Sequence, residues 1–280
     1  MSLMYQLNCG GVLLDVSAPV VMGILNVTPD SFFDGGKFND ETDILKQAEK
    51  MLAEGASIID IGAVSTKPGS IGISEAEELN RLIPVVKLIN KHFPKAVVSV
   101  DTYRSQVAIR AVDSGAAIIN DISGGEFDKN MFATIARLQV PYVMMHIQGT
   151  PETMQQNPVY ENVTLELLRY FVTKLEQLRN LGVKDCIIDP GFGFGKTVEH
   201  NYELLASLRT FETLDCPILI GVSRKAMINK VLNTTPENAL NGTTVVNTVA
   251  LMNGARILRV HDVKEAMQAV KIINKLNKVD

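Results

Sequence analysis

The sequence predicts an α/β protein folded as a single (β/α)8 barrel, on three observations. Short, nearly continuous aliphatic runs recur eight times along the chain, segments with helical spacing separate them, and no composition break or low-complexity linker interrupts the alternation. A run without polar alternation is what a parallel strand buried on both faces requires. Eight strand-helix units within 280 residues suit one barrel of ordinary length. The same alternation could build a doubly wound open sheet, but the count of eight favours the barrel.

The elements follow in order. In residues 5–16, Gly10-Gly11 divides two short stretches, which reads as a hairpin. Residues 1–16 are therefore expected to pack on the floor of a barrel spanning 17–280. The strands are expected at 20–27, 57–65, 96–101, 117–122, 141–146, 185–190, 217–223 and 255–260. Helical spacing marks 41–54, 74–92, 104–114, 162–181 and 262–276. In the last, Asp262 is the expected N-cap and Val263, Ala266, Met267, Val270 and Ile273 form the apolar stripe. Gly55, Gly115 and Gly182 follow three of the helices, where a left-handed residue costs glycine least.

Composition narrows the class of protein. Lys+Arg 27 against Asp+Glu 31 gives a net charge of -4 at pH 7, which argues against a broad nucleic-acid surface or an anionic membrane as partner. Cys9, Cys186 and Cys216 form no C-x-x-C pair, so they read as buried free thiols in a reducing cytoplasm rather than as a zinc site or disulfides. The start of the sequence lacks a secretory pattern, and no apolar run approaches the ~18 residues of a membrane span. The glycine-rich stretch 191–197 fails as a Walker A loop, because Pro190 stands where the first glycine is needed. It reads instead as a mobile or tightly turned loop. His92 and His200 read as ordinary surface histidines, and His146 as a histidine of the pocket wall.

A barrel carries its site at the C-terminal ends of its strands, so the polar residues that end each run matter most. They are Asn26; Ser65 and Thr66; Asp101; Asn120 and Asp121; His146; Asp189; Ser223, Arg224 and Lys225; and Arg259 and His261. Asp121, Ser223 and Asp262 could equally cap helices. Asp101, Lys225 and Arg259 fit that role poorly, since each charge needs a partner at the mouth of an apolar barrel. Asp101, Asn120 and Asp189 are rich in acceptors and suit the paired N–H donors of an aminopyrimidinone ring. Lys225, Arg259 and His261 are donors suited to phosphate oxygens. Asn26 offers a neutral oxygen for a Mg²⁺ shell completed mainly by water and phosphate.

These residues resemble those of a known family, the dihydropteroate synthases. Residues 22–32 read MGILNVTPDSF, 65–69 STKPG, 99–101 SVD, 119–122 INDI, 145–149 MHIQG, 189–196 DPGFGFGK, 223–225 SRK and 259–263 RVHDV. All stand in family order across nearly the whole chain. The resemblance implies a homodimeric, cytoplasmic barrel enzyme of folate biosynthesis, the class of enzyme that sulfonamides target. Its reaction joins (7,8-dihydropterin-6-yl)methyl diphosphate to 4-aminobenzoate by an SN1-like path.

The resemblance also implies residue roles. Asp101, Asn120, Asp189 and Lys225 would bind pterin, and Asn26, Thr66, Lys67, Arg259 and His261 the diphosphate, with Asn26 on Mg²⁺. Phe32, Asp34, Thr66, Pro68, Phe194, Gly221, Ser223 and Ala226 would border the aminobenzoate. Asp101, Lys225, Arg259 and His261 would carry the chemistry. The sequence departs from the family pattern at Val64, usually glutamate, at Lys67, usually arginine, at Ala226, commonly serine, and at Phe33, usually small and polar. Two alternatives share the pterin floor: a barrel that passes a folate methyl group to a corrinoid, which needs no diphosphate clamp, and a paralogue that binds pterin without turnover.

Overall fold

The computed structural model describes residues 5–27, 39–64 and 72–278. The chain opens with β1 (Gln6–Cys9) and β2 (Val12–Asp15), an antiparallel pair in the register Cys9↔Val12. Gly10 and Gly11 turn it with φ of 63° and 93°, which L side chains rarely adopt. There follow β3 (Val20–Asn26), α1 (Asn39–Glu54), β4 (Ile58–Gly62), α2 (Glu75–His92), β5 (Val97–Asp101), α3 (Ser105–Asp113), β6 (Ile118–Asp121), α4 (Met131–Leu138) and β7 (Tyr142–Met145). The second half comprises α5 (Val163–Asn180), β8 (Cys186–Asp189), α6 (Val198–Ala206), β9 (Ile218–Ile220), α7 (Ala226–Leu232), α8 (Leu240–Met252), β10 (Ala255–Val260) and α9 (Val263–Leu276). Strands β3 to β10 close into one parallel barrel, with β10 against β3. The expected (β/α)8 barrel is thus the observed one, and the open sheet is excluded.

Side chains alternate along each strand, so the barrel interior is built in layers two residues apart. The lower layer contains Ile58, Val97, Ile118, Val143, Ile187, Leu219 and Ile257, which pack with Leu7, Cys9 and Val16 of the hairpin region. The hairpin therefore seals the floor, and Asn8 N–H donates to Asp185 Oδ2 at 2.9 Å to hold it there. The outward residues of the strands meet the helices in a second, larger cluster that includes Val21, Ile59, Val98, Ile119, Ile188 and Leu258. Each side chain buried in this way contributes about 1.5–3 kcal/mol.

Two positions up five of the eight strands the interior turns polar. Ile58 is followed by Asp60, Val97 by Ser99 and then Asp101, Ile118 by Asn120, Ile187 by Asp189 and Ile257 by Arg259. Hydrogen bonds across the barrel between non-adjacent strands place these polar groups inside it.

Side chains cap two of the longest helices. Ser74 accepts from Glu77 N–H at 3.2 Å and Asn162 from Leu165 N–H at 2.9 Å. Asp262 differs. It occupies the N-cap position of α9 without capping it, because its carboxylate takes Arg224 Nε and Nη2 at 2.8 and 2.9 Å. Gly55, Gly115 and Gly182 have φ of 106°, 103° and 82°, as expected after helices. The cysteines are free and buried. No helix among the described residues is long and apolar enough to cross a membrane.

Candidate active site

Asp60 stands at the centre of the polar layer, fully buried. It accepts from Ser99 Oγ at 2.6 Å, Asn120 Nδ2 at 3.1 Å and Arg259 Nε at 2.7 Å. Arg259 Nη2 donates in turn to Asp101 Oδ2 at 2.8 Å. The partners that Asp101 and Arg259 require are therefore each other and Asp60. Burial, together with the charges of Asp60, Glu78 and Asp121, pushes the Asp101 carboxyl up to about 7, while Arg259 pulls it down. Register explains the convergence: Asn26 lies opposite Gly62, Gly62 opposite Asp101, and Asp101 opposite Asn120.

Asp189 ends β8 and is buried. Its Oδ1 accepts from Gly191 N–H at 2.8 Å, which leaves the other oxygen free of hydrogen bonds among the described residues. Lys225 faces it. Burial lowers the Lys225 ammonium to about 8, against the upward pull of Asp189. Lys225 Nζ donates to Phe192 O at 2.5 Å and lies 4.4 Å from the centre of the Phe194 ring. Gly221, just beyond β9, borders both cations: a Cβ there would lie 4.0 Å from Lys225 Nζ and 3.9 Å from the Arg259 side chain, in ordinary contact.

The loop between Asp189 and Thr197 is tightly turned, with Gly191, Gly193 and Gly195 at φ of 69°, 81° and 61°. Lys196 locks it from behind. The buried ammonium donates to Gly191 O at 3.0 Å, Phe194 O at 2.9 Å and His146 O at 3.4 Å, and it lies 3.1 Å from His146 Nδ1. Burial draws Lys196 down to about 7, and burial with the Lys196 charge holds His146 well below the usual imidazole range. His146 is thus neutral, and its ring packs edge-on against Tyr170. A Cβ on Gly191 would fall 2.0 Å from His146 O, whereas one on Gly182, also left-handed, would meet nothing within 4 Å. Gly191→Ala is therefore expected to destabilise by about 3 kcal/mol or more, and Gly182→Ala by only about 1 kcal/mol. Thermal unfolding of both variants checks the difference.

The opposite rim carries Asn26, Ser223 and His261. Ser223 Oγ lies 3.0 Å from His261 Nδ1 and also accepts from the His261 backbone N–H at 3.3 Å, which ties the imidazole to the β9 loop. Burial of the imidazole, with the nearby Arg259 charge, holds it down to about 4. His261 is a neutral N–H donor, not a second cation. Ala226 is exposed as the first residue of α7, and Arg224 is drawn away by Asp262. Asn26 is exposed at the end of β3. Gly62 leaves a cradle beside it, in which a Cβ would stand 3.8 Å from Asn26 Oδ1 and 3.7 Å from Asp101 Oδ2. No cluster of three His, Cys, Asp or Glu among the described residues forms a metal cage. One amide oxygen beside an open cradle suits Mg²⁺, which keeps most of its waters and takes the rest of its shell from substrate phosphates.

The structure thus brings together Asp101, Asn120, Asp189, Lys225, Arg259, His261, Ser223, Gly221 and Phe194. Phe32, Asp34, Thr66, Lys67 and Pro68, together with Phe33, lie outside the described residues. Sequence reasoning missed several groups. Asp60 and Ser99 sit inside aliphatic runs, and Lys196 entered only as a mismatch to a motif. The apolar cluster of Ile122, Met145, Ile147 and Met154, with Tyr103, Phe127 and Phe194 against it, also escaped. A search for charges at interior positions two residues above the aliphatic layer finds Asp60. His200 is more than a surface histidine, because it closes a capping box with Thr197 at the start of α6.

A closed parallel barrel whose mouth interleaves buried acceptors with cationic donors suits a pterin-binding barrel enzyme, and the family described as pterin binding enzyme matches residues 22–261. Dihydropteroate synthase of Escherichia coli (strain K12) is 44% identical over 270 residues, covering 96% of this chain and 95% of that protein. The Yersinia pestis dihydropteroate synthase, solved as a sulfonamide drug complex, superposes with a TM-score of 0.92 at 40% identity, over 98% of this chain and 100% of that one. The Xanthomonas albilineans dihydropteroate synthase in complex with 7,8-dihydropteroate gives 0.88 at 34% identity, over 99% and 100%. The chain belongs to the dihydropteroate synthase family.

Proposed function

We propose that the protein is a transferase that condenses (7,8-dihydropterin-6-yl)methyl diphosphate with 4-aminobenzoate, giving 7,8-dihydropteroate and diphosphate in folate biosynthesis. The observation that carries this reading is a set of open acceptors at one barrel mouth, Asn120 Oδ1, the second oxygen of Asp189 and Asp101 Oδ1, with the cations Lys225 and Arg259 beside them. A ring with N–H donors on one edge satisfies the acceptors, and an anionic arm satisfies the donors. The diphosphate-binding reading of Arg259 favours the synthase over a corrinoid methyltransferase, which has no anionic arm to hold.

As the methylene–oxygen bond breaks, negative charge grows on the departing diphosphate and positive charge on the pterin. Arg259 and the His261 imidazole stabilise the first, and the Asp101 carboxylate the second. The arylamine nitrogen then attacks the methylene carbon, and the proton it sheds on forming the C–N bond passes to the departed diphosphate or to water. Phe194, held over Lys225, gives the aromatic acceptor an apolar wall. Asn26 would hold Mg²⁺, which when bound offsets phosphate charge. Mg²⁺ is accordingly expected to bind weakly to the protein alone, with a Kd near about 1 mM, and at least tenfold more tightly once diphosphate is present. Calorimetric titration with and without diphosphate measures this. Equal affinity in both titrations would place the metal on protein ligands alone.

The apolar stripe Val245, Val249 and Met252 on α8, at 54%, 37% and 54% exposure, lies near exposed Val231 and Leu232 of α7 and supports a homodimer through this face. A cytoplasmic location accords with the three free thiols. Sulfonamides, as mimics of 4-aminobenzoate, are expected to compete with it. The test of the reaction itself is diphosphate release from the pterin diphosphate with Mg²⁺. Release that depends on 4-aminobenzoate and yields dihydropteroate supports the synthase, while pterin binding without such release supports the inactive paralogue.

A further inference from the structure

The charges at the mouth of the barrel are accounted for by the reaction, but Asp60 touches nothing that enters the site. It is fully buried at the centre of the polar layer, behind the Asn120 and Arg259 side chains that it holds. An ionised carboxylate only accepts hydrogen bonds, so whatever faces it must turn a donor toward it. Three groups do: Ser99 Oγ, Asn120 Nδ2 and Arg259 Nε, from three other strands. An isolated asparagine amide could present either end to a ligand at little difference in energy. Here Nδ2 is committed to Asp60, and Asn120 Oδ1, free of partners among the described residues, is the end left for the ligand.

We propose that Asp60 is a positioning residue that sets the hydrogen-bond polarity of the site floor. It turns the Asn120 amide so that the floor presents acceptors alone, and it fixes the Arg259 guanidinium at Nε so that Nη2 reaches Asp101. The inference rests on the pterin reading and deepens it. A floor made only of acceptors accepts a 2-amino ring edge and rejects the same ring with a carbonyl at that position, because two acceptors would then meet with no hydrogen between them.

Arg259 Nε and Asn120 Nδ2 both approach the same atom, Asp60 Oδ2. Asp60→Asn can therefore keep an amide oxygen there, since the opposite flip would oppose two N–H groups. Its amide nitrogen then faces Ser99, whose hydroxyl can accept instead. Asp60→Ala removes the acceptor and frees the Asn120 amide to flip.

The experiment measures Kd for pterin and for lumazine, its 2,4-dioxo counterpart, by calorimetry. Wild type is expected to prefer pterin by at least about tenfold, and Asp60→Ala to lose most of that preference through both weaker pterin and stronger relative lumazine binding. Asp60→Asn is expected to retain the preference within about threefold. Asp60→Leu, which fills the volume, replaces Asp60→Ala if the smaller variant does not fold. A folded Asp60→Ala or Asp60→Leu that discriminates like wild type would overturn the inference, as would an Asp60→Asn that loses as much as the apolar variants. If wild type itself binds neither ring, the pterin reading fails, and that outcome is distinct from a failure at Asp60.

Discussion

Asp189→Ala is expected to raise the Kd for the pterin substrate about a hundredfold or more. The carboxylate is buried, one of its oxygens is already spent on Gly191 N–H, and the other is free for a ligand N–H pair. Losing a charged acceptor at such a place costs about 3 kcal/mol, and 1.4 kcal/mol is tenfold in affinity. A second consequence follows from Lys225, whose ammonium the Asp189 charge holds up against burial. Without that charge Lys225 falls further, and part of the cationic side of the mouth is lost near neutral pH. Asp189→Asn keeps an acceptor for Gly191 N–H and is expected to fall between the two. Calorimetry on the three proteins gives the order, and a Kd for Asp189→Ala near wild type would remove Asp189 from the pterin site.

Arg259→Ala is expected to lower kcat about a thousandfold, the scale found when an oriented donor to developing negative charge is removed. It also strands two carboxylates, Asp60 and Asp101, that meet at its guanidinium. Breaking one side of a buried pair costs about 3 kcal/mol of stability, so a lower unfolding temperature should accompany the loss of turnover. The pH profile separates the two effects. Ionised Asp101 is the form that stabilises the pterin cation, so kcat/KM should rise as pH passes through the Asp101 pKa, about 7 in wild type. Arg259 lowers that pKa, so its removal should move the acid limb to higher pH. A loss of stability with kcat and the acid limb unchanged would make Arg259 a structural residue only.

What could be read from the sequence, and what could not, follows from the geometry of a barrel. The eight strands were legible because burial on both faces leaves long aliphatic runs, and their C-terminal ends were legible because polarity appears there abruptly. Asn26, Asp101, Asn120, Asp189, Lys225, Arg259 and His261 all stand at those ends or in the loops that follow. Asp60 was hidden because it lies in mid-strand between Ile59 and Ile61, and only three-dimensional closure shows that its side is the interior. Lys196 was hidden for a different reason. Its partners are main-chain carbonyls, which leave no signature in side-chain identity. His261 was legible as a donor but not in its charge, because burial, which the sequence does not show, is the main cause that holds it neutral, with Arg259 adding to it. Asp262 could be read as a cap, yet Arg224 outcompetes the helix N-terminus for its carboxylate.

The most direct measurement is a crystal structure of the protein with a dihydropterin bound. The ring should lie at the C-terminal mouth of the barrel, with its donor edge within hydrogen-bond distance of the Asp189 carboxylate and Asn120 Oδ1. Asn120 Nδ2 should stay on Asp60, and the 6-methylene group should point toward Arg259 and His261. A ring bound elsewhere, or bound there with its donor edge toward His261 and its acceptors toward Asp189, would contradict the account.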